Sequence, residues 1–183
     1  MNLESILHQL VDEKKFRKLR GILEEMNEVD IAEFIQDMEL DKVVLVFRLL
    51  PKELGAEVFA CLEIEMQEYI INSMSDYELQ KIIEELYIDD AVDMLEELPA
   101  TVVRRVLSNA KPETRALINQ FLQYPDDSAG SIMTAEYIAL KKSMTVEQSF
   151  AYIRRNAVDK ETIYTCFKKK KKRHLEGVVT VKD

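Results

Sequence analysis

Two stretches decide how this chain reads: DKVVLVFRLLP at residues 41–51 and DDAVDMLEELP at residues 89–99. Each has an acidic start, an apolar stripe and a closing Leu-Pro, and they stand 48 residues apart. That offset is about the length of a few-helix repeat in an α-solenoid. Helices striped in this way cannot bury their apolar faces alone, so neighbours must stack.

The pattern extends in both directions. DIAEFIQDM (30–38) puts Ile31, Phe34, Ile35 and Met38 at the i, i+3, i+4, i+7 spacing of one helical face. Pro51 is expected to open the next helix in its first turn, where a missing N–H costs nothing. KELGAEVFACL (52–62), EMQEYIINSM (65–74) and DYELQKIIEEL (76–86) continue the series, as do TVVRRVLSNA (101–110) and PETRALINQFL (112–122). The expectation is a mainly α fold, a right-handed or irregular superhelix of about ten short helices over residues 1–128. Met26, Met38, Met66, Met74 and Met94 fall on apolar stripes and read as core filling.

After Leu122 the character changes. QYPDDSAGSIMT (123–134) mixes proline, glycine and small residues, the composition of a linker or ordered loop. EYIALKK (136–142) has strand character, TVEQSFAYIRRNA (145–157) is an amphipathic helix, and TIYTCF (162–167) and LEGVVTVKD (175–183) read as strands. The order β-α-β-β stops before a helix that would cover the sheet's open face. Residues 129–183 are therefore expected to be an incomplete α/β domain within a longer protein.

Composition narrows the functional classes. The chain has 183 residues, 47% hydrophobic and 32% charged, with only four glycines and four prolines. Scarce turn residues favour long runs of helix over strand-rich folds. No apolar run approaches the roughly 18–20 residues that cross a bilayer, and the N-terminus lacks the basic start and cleavage site of a signal peptide. Cys61 and Cys166 lie far apart and read as reduced thiols, which places the chain in the cytosol. A net charge of −9 argues against nucleic acid as partner. That charge is also uneven. Residues 1–140 hold 29 acids against 13 bases, and residues 141–183 hold 5 against 12. Such a reversal points to two functional parts, one of which attracts cations.

The run LQYPDDSAGSIMT (122–134), followed by Met144-Thr145-Val146, Glu161-Thr162-Ile163-Tyr164 and Gly177-Val178-Val179, resembles the junction of MgtE-family magnesium transporters. There an N-terminal helical domain meets the first of two CBS motifs. LEELP (95–99) and the Leu-Leu-Pro at 49–51 are similar to that family's helical domain. The resemblance covers essentially the whole chain, in order. It implies the cytosolic, Mg²⁺-sensing part of a homodimeric channel that closes when internal Mg²⁺ is high. Its partners would be the second CBS motif, a connecting helix and the transmembrane domain, on the cytoplasmic side of the membrane. One departure is the run Lys168–Lys172, where the family carries an acidic turn. Lysines cannot bind Mg²⁺, so this run reads as a solvated hairpin loop, with contact to a membrane surface or to the acidic domain as the other reading.

The candidate ligands are carboxylates. Asp89 and Asp93 stand at i, i+4 on one helix face, about 6 Å apart, where like charges repel and a bridging cation would relieve them. Equally, Asp89 and Asp90 open a helix, where acids cap free N–H groups and complement its dipole. Spacing alone leaves both readings standing. The resemblance adds a third residue: Glu57, Asp89 and Asp93 match positions that bind Mg²⁺ between the helical and CBS domains in the family. A junction-loop backbone oxygen also serves there, and in this chain it falls at Gly130-Ser131, assigned to Ser131. Binding by these residues alone is expected in the millimolar range.

Catalysis is not expected. His8 and His174 lack zinc-site spacing, and the sequence carries no nucleophile–base pair, phosphate loop or dinucleotide fingerprint. Thr180 and Asp183 sit where nucleotide-binding CBS motifs hold a ribose, but half a CBS unit forms no such cleft. Two alternatives to an ion sensor remain. A helical scaffold would use concave surfaces for partner proteins, in the manner of flagellar motor-switch helical domains, which lack CBS motifs. A CBS-type adenine-nucleotide sensor would need a second motif.

Overall fold

The computed structural model describes residues 3–125, 127–157, 160, 162–169, 174–180 and 182. Ten helices come first: α1 (Leu3–Asp12), α2 (Phe16–Leu23), α3 (Glu28–Gln36), α4 (Leu40–Phe47), α5 (Lys52–Ala60), α6 (Ile64–Ser73), α7 (Asp76–Ile83), α8 (Ile88–Glu97), α9 (Ala100–Asn109) and α10 (Pro112–Phe121). They are followed by β1 (Ile138–Lys141), α11 (Val146–Asn156), β2 (Thr165–Lys169) and β3 (Leu175–Thr180). The mainly α fold with a small C-terminal sheet is the expected one. Two compact units result, one of Met1–Leu86 with Asp90–Tyr124, the other of Tyr87–Asp89 with Pro125–Asp183.

The helical unit has a shorter period than the Leu-Pro pairs suggest. Helices α2 to α10 begin at residues 16, 28, 40, 52, 64, 76, 88, 100 and 112, a constant step of 12. The 48-residue offset is thus four helix steps, from α4 to α8. Within each twelve, the fourth and eighth residues are buried from Leu19 and Leu23 in α2 through Ala91 and Leu95 in α8. Helices pack chiefly on the helix two along: α3 on α5, α5 on α7, α7 on α9, and α4 on α6. This arrangement buries Phe59 against Phe47, ring centroids 6.1 Å apart and edge to face.

The twelfth residue of each step is the helix N-cap, and its identity varies. Asn27 and Ser75 cap with their own side chains, Ser75 within a capping box with Glu78. Pro51 is itself the N-cap of α5, with φ −55° and ψ 154°, so it precedes the first turn rather than lying in it. At two N-caps without a side-chain cap of their own, Glu63 and Lys111, an earlier helix supplies an acceptor. Gln36 Oε1 accepts from the Glu63 N–H at 2.7 Å, and Glu84 Oε1 accepts from the Lys111 N–H at 2.9 Å. These two contacts are again 48 residues apart, which gives the sequence offset a physical content. Arg105 closes other free ends by donating to the carbonyls of Ile71 and Met74, each at 2.6 Å.

The second unit is a three-stranded sheet in the order β1-β2-β3, with β1 parallel to β2 and β2 antiparallel to β3. The parallel pair needs a crossover, and α11 supplies it. Thr145 and Gln148 form a capping box that starts α11. Ile138, Leu140, Ile153 and Cys166 make the core, with Met144, Tyr152 and Ile163 against it. Strand β3 leaves Leu175 and Val178 exposed. The lysine run differs from the expected loop at its start. Lys168 and Lys169 are half-buried in β2, Lys168 within 3.8 Å of Glu176 and Lys169 over the Tyr137 ring. Lys170, Lys171 and Lys172 lie outside the described residues, as do Glu161 and Asp183.

Candidate metal site

The four predicted ligand residues occupy different settings. Glu57 is exposed on α5, and Asp93 is exposed on α8. Asp89, one turn before Asp93 on the same helix, is half-buried. Ser131 lies in the loop before β1, half-buried, with its Oγ donating to the Ser128 carbonyl at 2.9 Å. Among the described residues no three His, Cys, Asp or Glu side chains converge closely enough to hold a metal ion. Glu57, Asp89 and Asp93 therefore do not enclose an ion by themselves.

Helix α8 itself sets other acids beside Asp93, and stacking supplies a wall across from them. A depression of about 200 Å³ is lined by Asp90, Asp93 and Glu97 of α8 and by Gln67, Ile64 and Leu62 across from them. The three carboxylates recur at i, i+3 and i+7, the spacing of one helical stripe. Gln67 is the buried polar residue of this wall, and its amide donates to the Phe59 carbonyl at 2.9 Å. Sequence reading treated Asp90 only as a cap and passed over Glu97 and Gln67. The 3–4 spacing of the acids was visible, but the partner wall arises from stacking of α8 near the start of α6.

Cys61, at the end of α5, shares one of these acids, Asp90, as a neighbouring charge. Burial raises its thiol pKa first, and the negative charges of Glu28, Asp90 and Glu57 raise it further. Carboxylates from α3, α5 and α8 thus act on one exposed sulfur. The donor set is hard oxygen throughout. It suits a small divalent cation that keeps most of its water and takes one or two carboxylates, which is the habit of Mg²⁺.

Comparison with known proteins decides the family. The family model of the MgtE intracellular N domain matches residues 26–127. The chain belongs to the MgtE family. The match takes in α3 to α10, and with them every helix that contributes to the acidic face. The magnesium transporter MgtE of Thermus thermophilus is 35% identical over 181 residues, 97% of this chain and 40% of that protein. The magnesium transporter MgtE of Bacillus subtilis is 22% identical over 174 residues, 95% of this chain and 39% of that protein. The chain thus spans about 40% of the length of these MgtE relatives. Among solved structures, the cytosolic domain of the Mg²⁺ channel MgtE in complex with ATP superposes with a TM-score of 0.87 at 34% identity. That superposition covers 98% of this chain and 74% of the other. The soluble part of a magnesium transporter gives a TM-score of 0.91 at 24% identity, covering 98% and 71%, which shows a shared fold.

Proposed function

We propose that this chain is a cytosolic regulatory domain of a magnesium transporter or channel, sensing intracellular Mg²⁺ and gating a membrane pore. Residues 1–128 are the MgtE N domain in this reading, and residues 129–183 are the start of a CBS domain. The observation that carries the proposal is the acidic stripe of α8, with Asp90, Asp93 and Glu97 lining one depression beside Gln67. Family membership supports it, since the relatives are magnesium transporters. Glu57, Asp89 and Asp93 would hold the ion, with the Ser131 carbonyl as a further oxygen.

The mechanism is electrostatic. Without an ion, the acidic face repels carboxylates brought near it by the second CBS motif of the longer protein. A hydrated Mg²⁺ between them replaces repulsion with attraction and favours the compact state. Only the difference in affinity between separated and compact states moves the equilibrium. The described residues bring no three carboxylates together. Affinity of this chain alone is therefore weak, on the order of millimolar. The full-length protein acts as a homodimer on the cytoplasmic side of the membrane, with the connecting helix and transmembrane domain as partners. Its role is ion control and not catalysis.

A second reading has its own support. The structural relative at 34% identity was crystallised with ATP, which favours adenine-nucleotide sensing through the CBS part. Thr180 on β3 is its candidate here, and Asp183 lies outside the described residues.

Thermal melts and calorimetry with Mg²⁺ separate the readings. The chain and a longer form with both CBS motifs are compared with Asp89→Ala/Asp93→Ala in each. Saturable stabilisation of the longer form that vanishes in the double variant is expected. Equal responses of parent and variant would leave Asp89 as a first-turn acid of α8 and Asp93 as a solvated surface acid. Stabilisation by ATP but not by Mg²⁺ would favour the nucleotide reading.

A further inference from the structure

The twelve-residue step also shows where the stack lacks a helix. The fourth and eighth residues of each step are buried through α8, but in α9 the same positions, Val103 and Leu107, are only half-buried. In the preceding odd-numbered helices the cover comes from the helix two along, α5 on α3, α7 on α5 and α9 on α7. The helix that would cover α9 should begin at residue 124, and no helix begins there. Instead α10 turns polar at the equivalent places, with Arg115 and Asn119 both exposed. Val103 and Leu107 line an open groove of about 580 Å³ with Leu98, Ala100, Arg104 and Arg115.

Its charge is opposite to that of its surroundings. Arg104 and Arg115 are exposed on the groove and make no ion pair among the described residues. Arg105, one residue away, is engaged by Asp76 at 3.0 Å and by two carbonyls. Unpaired arginines beside an apolar strip are unusual in a region holding 29 acids against 13 bases.

We infer that this groove receives a short amphipathic α-helix from a partner polypeptide, acidic along its flanks. The repeat explains the shape, because every covered stripe in the unit is met by a helix of 8–10 residues. The apolar stripe of the incoming helix covers Val103 and Leu107, and its carboxylates meet Arg104 and Arg115. Charge chooses among helices: a basic one would face two like charges, and a neutral one would leave both cations partly desolvated and unpaired. This inference is independent of the Mg²⁺ reading.

A peptide copied from residues 28–39, EVDIAEFIQDME, carries the required stripe and five acids. A side-chain staple holds it helical, since a peptide this short is marginal in water. It is titrated into the isotope-labelled 183-residue chain and followed by NMR. Saturable shifts confined to α9 and α10 are expected. Arg104→Glu/Arg115→Glu, checked by circular dichroism for intact helix, should bind at least about tenfold more weakly, as loss of two exposed ion pairs and gain of repulsion imply. The same variant should recover binding to a peptide with lysine at the acidic positions. Absent binding, equal binding by parent and variant, or shifts on other helices would overturn the inference. So would sedimentation showing that the chain dimerises through α9 and α10, because the occupant would then be a second copy.

Discussion

The two units solve the burial of apolar surface in different ways. In the helical unit the stripes are short and local, and α3, α4, α5 and α7 each pack on a helix about 24 residues further on. Its core therefore grows by addition, and α2 to α8 repeat one packing rule. The second unit instead depends on one parallel pairing, β1 with β2, across 28 residues between paired Ile138 and Cys166. Among the described residues it has four buried core residues and an outer strand with Leu175 and Val178 exposed. Charge divides the same way, acid on the repeat and base on the sheet. A repeat tolerates loss at one step, whereas a small sheet with one covered face has little reserve.

The sharpest way to break this comparison is a cavity in each core. Phe59→Ala, at a residue 1% exposed, should cost about 3–5 kcal/mol. Ile138→Ala, equally buried at 1%, should cost about 2–4 kcal/mol. Hydrogen exchange read helix by helix distinguishes the two outcomes. Phe59→Ala is expected to lower protection of α4 to α7, while Ile138→Ala abolishes protection of β1 to β3 and leaves α2 to α8 as in the parent. Loss of protection in both units from either change would show that they fold as one.

A smaller effect sharpens the view of how adjacent helices are tied. Glu78 accepts from Arg48 Nε at 2.7 Å and Nη2 at 3.2 Å, and it completes the capping box with Ser75. The Arg48 hydrogen bonds, then those of Ser75, hold its carboxyl down to about 2. A carboxyl with a lowered folded pKa stabilises the fold above its unfolded value near 4.5 and loses that contribution as pH falls toward 2. Glu78→Gln should cost about 1–2 kcal/mol at neutral pH, a figure reduced for a side chain one-third exposed. The gap between parent and variant in denaturant melts should close between pH 4.5 and 2. A gap independent of pH would mean that packing, not charge, carries the contribution.

Much of the helical unit was legible from its apolar stripes, because each helix announces its own buried face. The period was harder to see. Its marker position, the N-cap, is filled by Asn27, Glu39, Pro51, Glu63, Ser75, Pro99 and Lys111 in turn, so no motif repeats. Only Leu50-Pro51 and Leu98-Pro99 coincide, and they reveal every fourth step. The strands were legible from β-branched and aromatic runs. The place of Lys168 and Lys169 in β2 was not, because lysine carries no strand signal and its pairing with Glu176 is tertiary. At the candidate site, Asp89 and Asp93 were visible as a helical pair. The spacing that adds Asp90 and Glu97 was visible too, but the wall with Gln67 was not, since that depression exists only once α8 stacks near α6.

The most direct test of the Mg²⁺ proposal is the alkylation rate of Cys61 as a function of Mg²⁺, at fixed pH and ionic strength. Cys61 is exposed and Cys166 buried, so the fast thiol reports on the acidic face. Its pKa is raised by burial and then by Glu28, Asp90 and Glu57, and a cation bound there would cancel the second contribution. The account predicts a saturable acceleration of about two- to fivefold with Mg²⁺, because thiolate is the reactive form. Glu57→Gln should react faster at the outset and respond less. A rate that follows ionic strength alone, identical for Mg²⁺ and Na⁺, would contradict the account.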